Sequence, residues 1–554
     1  MLISTGLKSV FPPLRNCTID MTANAVSIRR VTLLLAVWVM ICHLAHDGFH
    51  SLNGFLSDVR MRNAVLLFFY YSLSSLSFRY FGKVSFALTL TIMLLLSMRE
   101  ACIGAAQLIS GSRYPVGTML NPNILACFLA VTCSVFMALI PETGKKAYKW
   151  LLYVIIGLYI ILMFFSKSRL ALLSVIVPGM CYCCLDPRYS VFIRKHALSV
   201  AVLFAVLFTV MYFVKKPSAD GRIYMAKIAA RAMVHNGMFG AGTEGYAGAF
   251  GQEQYRYYSS DSGNADIDAV VENDRAGDRF ACEPLTAFNE FLRVGVEYGI
   301  VAMLLSLYII ARAIFILLKR RSPLGYGLLS LSVVSLFSYP HCYSAYCLLL
   351  SIFLGSASDM DSGFENAVSS YCPLAADVIG LLLSGLMLFL ELPGMERRNQ
   401  LRDKESDIAF FFRNREYQTV CDCCESYFDK DLSSITMVYE YGVSLSMTGQ
   451  YHKSDSVLSM GASRSSDPAF WQEMGNNHMR NGQYDEAEKS YIRSFLMVPN
   501  RMTPLLFLAR LYHQTGDRAK LDRIDAFADT FRPKIPSNTT REYHKIIKQL
   551  ANEE

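Results

Sequence analysis

Residues 123–140 read NILACFLAVTCSVFMALI and residues 148–165 read YKWLLYVIIGLYIILMFF, with only the short link 141–147 between them. The first run carries no charged side chain and the second only Lys149. About 20 apolar residues cover the ~30 Å hydrocarbon core as a helix. In lipid every backbone polar group must be bonded internally, which a helix does within one segment. Both runs therefore read as membrane crossings. Working outward, runs of the same kind lie at 28–46, 64–78, 84–98, 170–185, 197–214, 291–318, 324–340, 342–358 and 374–392. Pro178 interrupts one of them, and His341 alone separates two others. The expected fold class is all-α: about eleven transmembrane helices in residues 28–393, followed by a soluble helical domain, 394–554.

Composition agrees. The 554 residues are 53% hydrophobic and 18% charged, with a mean hydropathy of +0.29. Soluble domains carry roughly a quarter charged residues, so an ordinary cytosolic enzyme and a disordered chain are both poor fits. The net charge of +7 is modest and names no nucleic-acid partner. Of 15 cysteines, most lie in or beside apolar runs, where Cys behaves as a small hydrophobe. Cys421, Cys423 and Cys424 look like half of a metal knuckle, but no second Cys or His pair follows at zinc spacing. Helix packing is the better reading, and no metal is expected.

Residues 1–27 are polar, and the first run follows Arg29 and Arg30 with no cleavage pattern, as in a retained signal anchor. With residues 1–27 in the cytoplasm, the short inner segments carry fifteen Lys and Arg and the short outer loops six. That bias favours N-inside. An odd number of spans then leaves 394–554 outside, along with the polar loop 215–284. Long translocated loops escape the rule, so the basic residues of 215–284 do not oppose it.

The tail repeats itself over 434–534 with a period near 34. Gly442, Gly475 and Ala509 correspond, as do Gly449, Gly482 and Gly516. The segment Pro468 to Arg501, with Trp471, Gly475, Asn481-Gly482-Gln483-Tyr484, Ala487 and Tyr491, is the clearest copy. It resembles the tetratricopeptide repeat, whose stacked helix pairs form a solenoid with a concave binding face. A protein partner on that face is one expectation.

Polar groups beside apolar runs are the candidates for chemistry. Arg169 follows Ser166-Lys167-Ser168 in a tight outer connection, and Arg222 lies in Gly221-Arg222-Ile223-Tyr224-Met225-Ala226-Lys227 on the same face. Two guanidiniums at one surface suit a diphosphate; alternatively, each is an interfacial Arg reaching lipid phosphate. Phe239-Gly240-Ala241-Gly242 marks a close-turning loop. Asn289-Glu290-Phe291-Leu292 opens a span, with Glu297-Tyr298-Gly299 below it on the same helical face. Glu290 is a candidate general base or acceptor positioner; its bland alternative is an ion pair with Arg293. His235 and His341 read as structural.

These pieces, in this order, with Ser338-Tyr339-Pro340 near the end of a late span, resemble the O-antigen ligase and polymerase family, in a Bacteroidetes-type branch with a C-terminal tetratricopeptide domain. The resemblance covers roughly residues 60–360 and the tail. It implies a glycosyltransferase of the bacterial inner membrane. Such an enzyme acts at the periplasmic face, taking a glycan from an undecaprenyl diphosphate carrier to lipid A core, a polysaccharide or a protein. It uses neither metal nor other cofactor. By the same resemblance Arg169, Arg222 and Glu290 are catalytic, and Lys167, Lys227, Gly240, Gly242, Asn289 and Glu297 bind substrate. Two positions depart from the family: Phe288 stands where a candidate base His is common, and Ala226 where a Trp is common. Without that His, the base is Glu290 or there is none, and leaving-group stabilisation carries the reaction. Outside this class stand a transporter, disfavoured by the lack of inverted repeats, and an assembly scaffold, which would not need eleven spans.

Overall fold

A helix beginning at Asn121-Pro122 has its start written into the sequence. Asn121 accepts from the N–H groups of Asn123 at 2.9 Å and Ile124 at 3.4 Å, and Pro122 supplies the fixed φ of a first turn. The resulting helix, Pro122–Leu139, is the best-buried candidate span and packs on Lys146–Phe165, Arg169–Leu185 and Pro323–Phe337. The computed structural model describes residues 26–47, 59–214, 216–259, 266–273, 276–362, 371–390, 392–428 and 434–553. Of the expected cytoplasmic segment 1–27, residues 1–25 lie outside these. Every regular element among the described residues is a helix.

Other apolar helices turn large side chains outward: Leu33, Leu34 and Val37 on Ile28–Asp47, Trp150 and Val154 on Lys146–Phe165, and Leu304 and Phe315 on Glu290–Lys319. So much exposed apolar surface suits a lipid solvent rather than water. Among the described residues five helices are long and apolar enough to cross a membrane: Ile28–His46, Met61–Ile109, Pro122–Leu139, Lys146–Phe165 and Glu290–Lys319. Arg169–Leu185 and Pro187–Lys195, bent by 98°, make a sixth if counted as one span.

Runs 197–214 and 374–392 include positions outside the described residues or side chains, and the rest of the shortfall from eleven has identifiable reasons. Pro323–Phe337 spans only 15 residues, and Ser344–Ser362 carries Asp359 and Asp361. The expected runs 64–78 and 84–98 fall in one element, Val59–Ile109, but Phe81 leaves helical angles at φ −124° and ψ 22°. The hydroxyls of Ser77 and Ser85 meet at 2.7 Å. Eight residues of straight helix would separate them by about 12 Å, so the chain folds back at Phe81.

Contacts gather at two ends of the bundle. At one, Ile28 N–H donates to Asp361 at 2.9 Å, Arg29 pairs with Asp377 at 2.8 Å, and Arg312 pairs with Asp361 at 2.7 Å. At the other, Trp38 reaches Tyr298, Asn121 reaches Tyr339, and Tyr346 reaches Ile124. The candidate site belongs to this second end.

In the C-terminal part, Ile435–Met447 packs on Tyr451–Arg464, Ala469–Arg480 on Tyr484–Met497, and Thr503–Thr515 on Arg518–Thr530. The period read from the sequence lands on equivalent turns, where Gly449, Gly482 and Gly516 all have φ between 71° and 83°. Gly442 and Gly475 sit where a Cβ would press into Leu458 and Tyr491, about 2.5 Å away, so small residues mark the helix crossings.

Candidate functional site

Ser168 shapes the first half of the site. Its hydroxyl accepts from Ala171 N–H at 3.2 Å, capping Arg169–Leu185, and donates to Asn123 Oδ1 at 2.5 Å. Lys167 takes a left-handed conformation (φ 51°) to make the turn. Arg169 is thereby the first residue of its helix, at the mouth of the bundle.

Arg222 comes from the helix Lys216–His235, in the segment expected as an outer loop. Its guanidinium lies 5.4 Å over the Phe288 ring, within cation–π range. Phe288 meets Tyr339 edge to face at 5.3 Å, and Asn121 Nδ2 donates to the Tyr339 hydroxyl at 3.2 Å. Burial, and then the positive charge of Arg169, push the Arg222 pKa below its usual range. Arg169 is near enough for its charge to act on Arg222, although 52 positions lie between them in the chain. Phe288 serves as a platform for one of them.

Glu290 is 2% exposed and fully engaged. One oxygen pairs with Arg293 Nε at 2.6 Å, and the other accepts the His341 N–H at 3.0 Å. Arg293 also pairs with Glu297, fully buried, at 2.7 Å. The ion pair weighed as the bland alternative is therefore present, extended to a second carboxylate. Asn289 caps the helix, its Oδ1 accepting from Leu292 N–H at 3.0 Å.

Gly240 and Gly242 have a different occupation from the expected one. The helix Glu290–Lys319 breaks at Gly299 (φ 80°, ψ 170°), which frees carbonyls above the break. Ala241 N–H donates to Val296 O at 2.8 Å, Gly242 N–H to Glu297 O at 3.1 Å, and Trp38 Nε1 to Tyr298 O at 2.9 Å. A Cβ at Gly240 would stand 2.5 Å from the Glu297 carbonyl, and one at Gly299 1.7 Å from Met238 O. These glycines let two backbones touch. Their contacts hold a broken helix rather than frame an open phosphate cradle.

Lys227 points elsewhere. Its ammonium bonds the Tyr257 hydroxyl at 3.2 Å on an exposed face, five residues and so well over a quarter-turn from Arg222. Lys167 is exposed and lies 5.7 Å over the Tyr114 ring. His235 pairs with Glu253 at 2.6 Å. Asn121, Asn123 and Tyr339 are the site residues that the sequence reading passed over as such. Asn-Pro before an apolar run was an available signal for Asn121. Beside Tyr343, which stacks on Tyr339, lies a cavity of about 180 Å³ bounded by Leu96, Glu100, Thr118 and Phe128. Among the described residues no cluster of three or more His, Cys, Asp or Glu is placed to hold a metal ion.

Among the described residues, fold and site together define an all-helical architecture with membrane-length apolar helices and a corner at one end of its bundle to which Arg169 and Arg222 both belong. No family model matches the sequence, and no curated protein matches it.

Proposed function

We propose that this chain crosses a bacterial inner membrane about eleven times, with a cytoplasmic N-terminus, and transfers a glycan from undecaprenyl diphosphate to an acceptor at the periplasmic face. In this reading the kinked Val59–Ile109 element and the short apolar helices all count as crossings, and the C-terminal helices form a tetratricopeptide-type solenoid outside.

The observation that carries the reading is the juxtaposition of Arg169 and Arg222. Two like charges in a half-buried corner repel each other, and the repulsion is relieved by an anion able to accept from both. A lipid diphosphate carries that charge. In the transfer, the C1–O bond to the diphosphate breaks, the acceptor oxygen bonds to C1, and the acceptor proton passes to the departing diphosphate or to water. The arginines stabilise the charge that develops on the leaving group. Both oxygens of Glu290 are occupied, so this carboxylate holds the helix mouth and the Pro340–Cys342 turn in place, and leaving-group stabilisation carries the reaction.

Deleting the gene and resolving surface glycans by gel identifies the acceptor. Loss of all glycan from lipid A core indicates a ligase, the reading preferred here. A ladder collapsed to a single repeat indicates a polymerase, and unglycosylated secreted proteins an oligosaccharyltransferase. In each case Arg169→Ala and Arg222→Ala should abolish transfer at normal protein levels. Normal transfer by both variants would refute the reading.

A further inference from the structure

The segment expected as an outer loop is docked on the C-terminal helices. Helix Tyr246–Tyr258 lies on Tyr451–Arg464 and Tyr484–Met497 at backbone range: a Cβ at Gly248 would stand 1.9 Å from Ser463 O, and one at Gly251 2.5 Å from the Met497 methyl. Ile267 and Val270 enter the apolar core of the repeats. Asn500 Nδ2 donates to Asp278 O at 2.7 Å and to Ala281 O at 3.0 Å, and Gly277 N–H to Pro499 O at 2.6 Å. Arg493 sits 3.8 Å over Trp471 and 5.0 Å over Tyr255, with Nη2 bonded to Gln252 at 2.7 Å. The repeat array holds a segment of its own chain.

One residue joins that dock to the arginine corner. Gln254 follows Gly248 and Gly251 on the docked face of its helix and is wholly buried. Its Nε2 donates to Met497 O at 2.6 Å, in the repeats, and to Cys282 O at 3.0 Å. Its Oε1 accepts from the Tyr224 hydroxyl at 2.9 Å and from Cys282 N–H at 3.3 Å. All four hydrogen-bonding capacities of the amide are used. Tyr224, with its ring stacked near Phe280 and Tyr258, is two residues from Arg222 and so on the opposite side of the same helix.

We propose that the repeat domain acts in cis, and that Gln254 is a positioning residue: it fixes the Lys216–His235 helix against the repeats so that Arg222 meets Arg169 over the diphosphate. The proposal rests on the reading that Arg222 holds that diphosphate. Fixing one side of this helix aims the other. Losing a hydrogen bond to a charged group weakens binding by roughly ten- to a hundredfold.

The test uses the full-length protein in lipid nanodiscs and equilibrium binding of undecaprenyl diphosphate, with thermal melting as the folding control. Gln254→Leu and Tyr224→Phe should each weaken binding by roughly ten- to a hundredfold, the loss expected when Arg222 no longer reaches the diphosphate. Gln254→Leu placed on Arg222→Ala should weaken it no further, because the effect passes through Arg222. Tyr224→Phe keeps the ring and removes only the hydroxyl, so it decides the matter if Gln254→Leu does not fold. Wild-type binding by Arg222→Ala would overturn the diphosphate reading itself. Weakened binding by Arg222→Ala, with wild-type binding by Tyr224→Phe or a full additional loss in the double variant, would overturn the positioning role alone.

Discussion

Arg293 stands between two buried carboxylates, Glu290 at 2.6 Å and Glu297 at 2.7 Å. Removing one partner of a buried ion pair leaves uncompensated charge and costs about 3–5 kcal/mol. Arg293→Leu should therefore lower the melting temperature sharply or prevent accumulation, read by fluorescence-detected size exclusion. Glu290→Gln keeps an acceptor for the His341 N–H and should be milder; transfer per folded molecule should stay near wild type. A thousandfold loss with unchanged melting would instead restore Glu290 as the base. At this scale the sequence was unevenly legible. The Glu290–Arg293 pair follows from helical spacing and was read as an alternative. Nothing in spacing brings Arg169 to Arg222, because their meeting depends on how separate helices pack; a family resemblance suggested it. Phe288 was visible only as a departure, and its place under a guanidinium needed coordinates.

At the scale of elements, the break at Gly299 is the feature that composition hid. An apolar run looks the same whether its helix is continuous or interrupted, and so the carbonyls that receive Ala241, Gly242 and Trp38 were invisible. Gly299 occupies a backbone region open almost only to glycine, where another residue costs of order 1–3 kcal/mol, before the clash with Met238 O. Gly299→Ala should lower thermal stability by at least that amount and expose the 236–245 loop to protease. Unchanged melting would show that the two backbones are not in contact. The fold-back at Phe81 and the bend at Asp186 both fall where one apolar run ends, in gaps that the sequence leaves between runs. The tail was the most legible part: glycines one period apart all fell at equivalent turns.

For the whole molecule, the loop and the repeats behave as one unit, and Glu283 gives that unit a pH dependence. It pairs with Arg501 at 2.5 Å, yet burial pushes its carboxyl up to about 7; Arg501 and Lys534 oppose the shift and Asp467 adds to it. The folded chain then keeps this proton up to about pH 7, while the unfolded chain releases it near the ordinary glutamate value. Between those limits the native state binds more protons, so its stability falls as pH rises. Melting of the full-length protein should drop from pH 5 to pH 8, and Glu283→Gln should flatten that slope; an identical slope in the variant would assign it elsewhere. The most direct test of the central claim is equilibrium binding of undecaprenyl diphosphate to nanodisc-embedded protein carrying Arg169→Ala, Arg222→Ala or both. The expected result is a loss of tenfold or more for either single variant, with the double variant binding no better than bare nanodiscs. Undiminished affinity in the double variant would contradict the account.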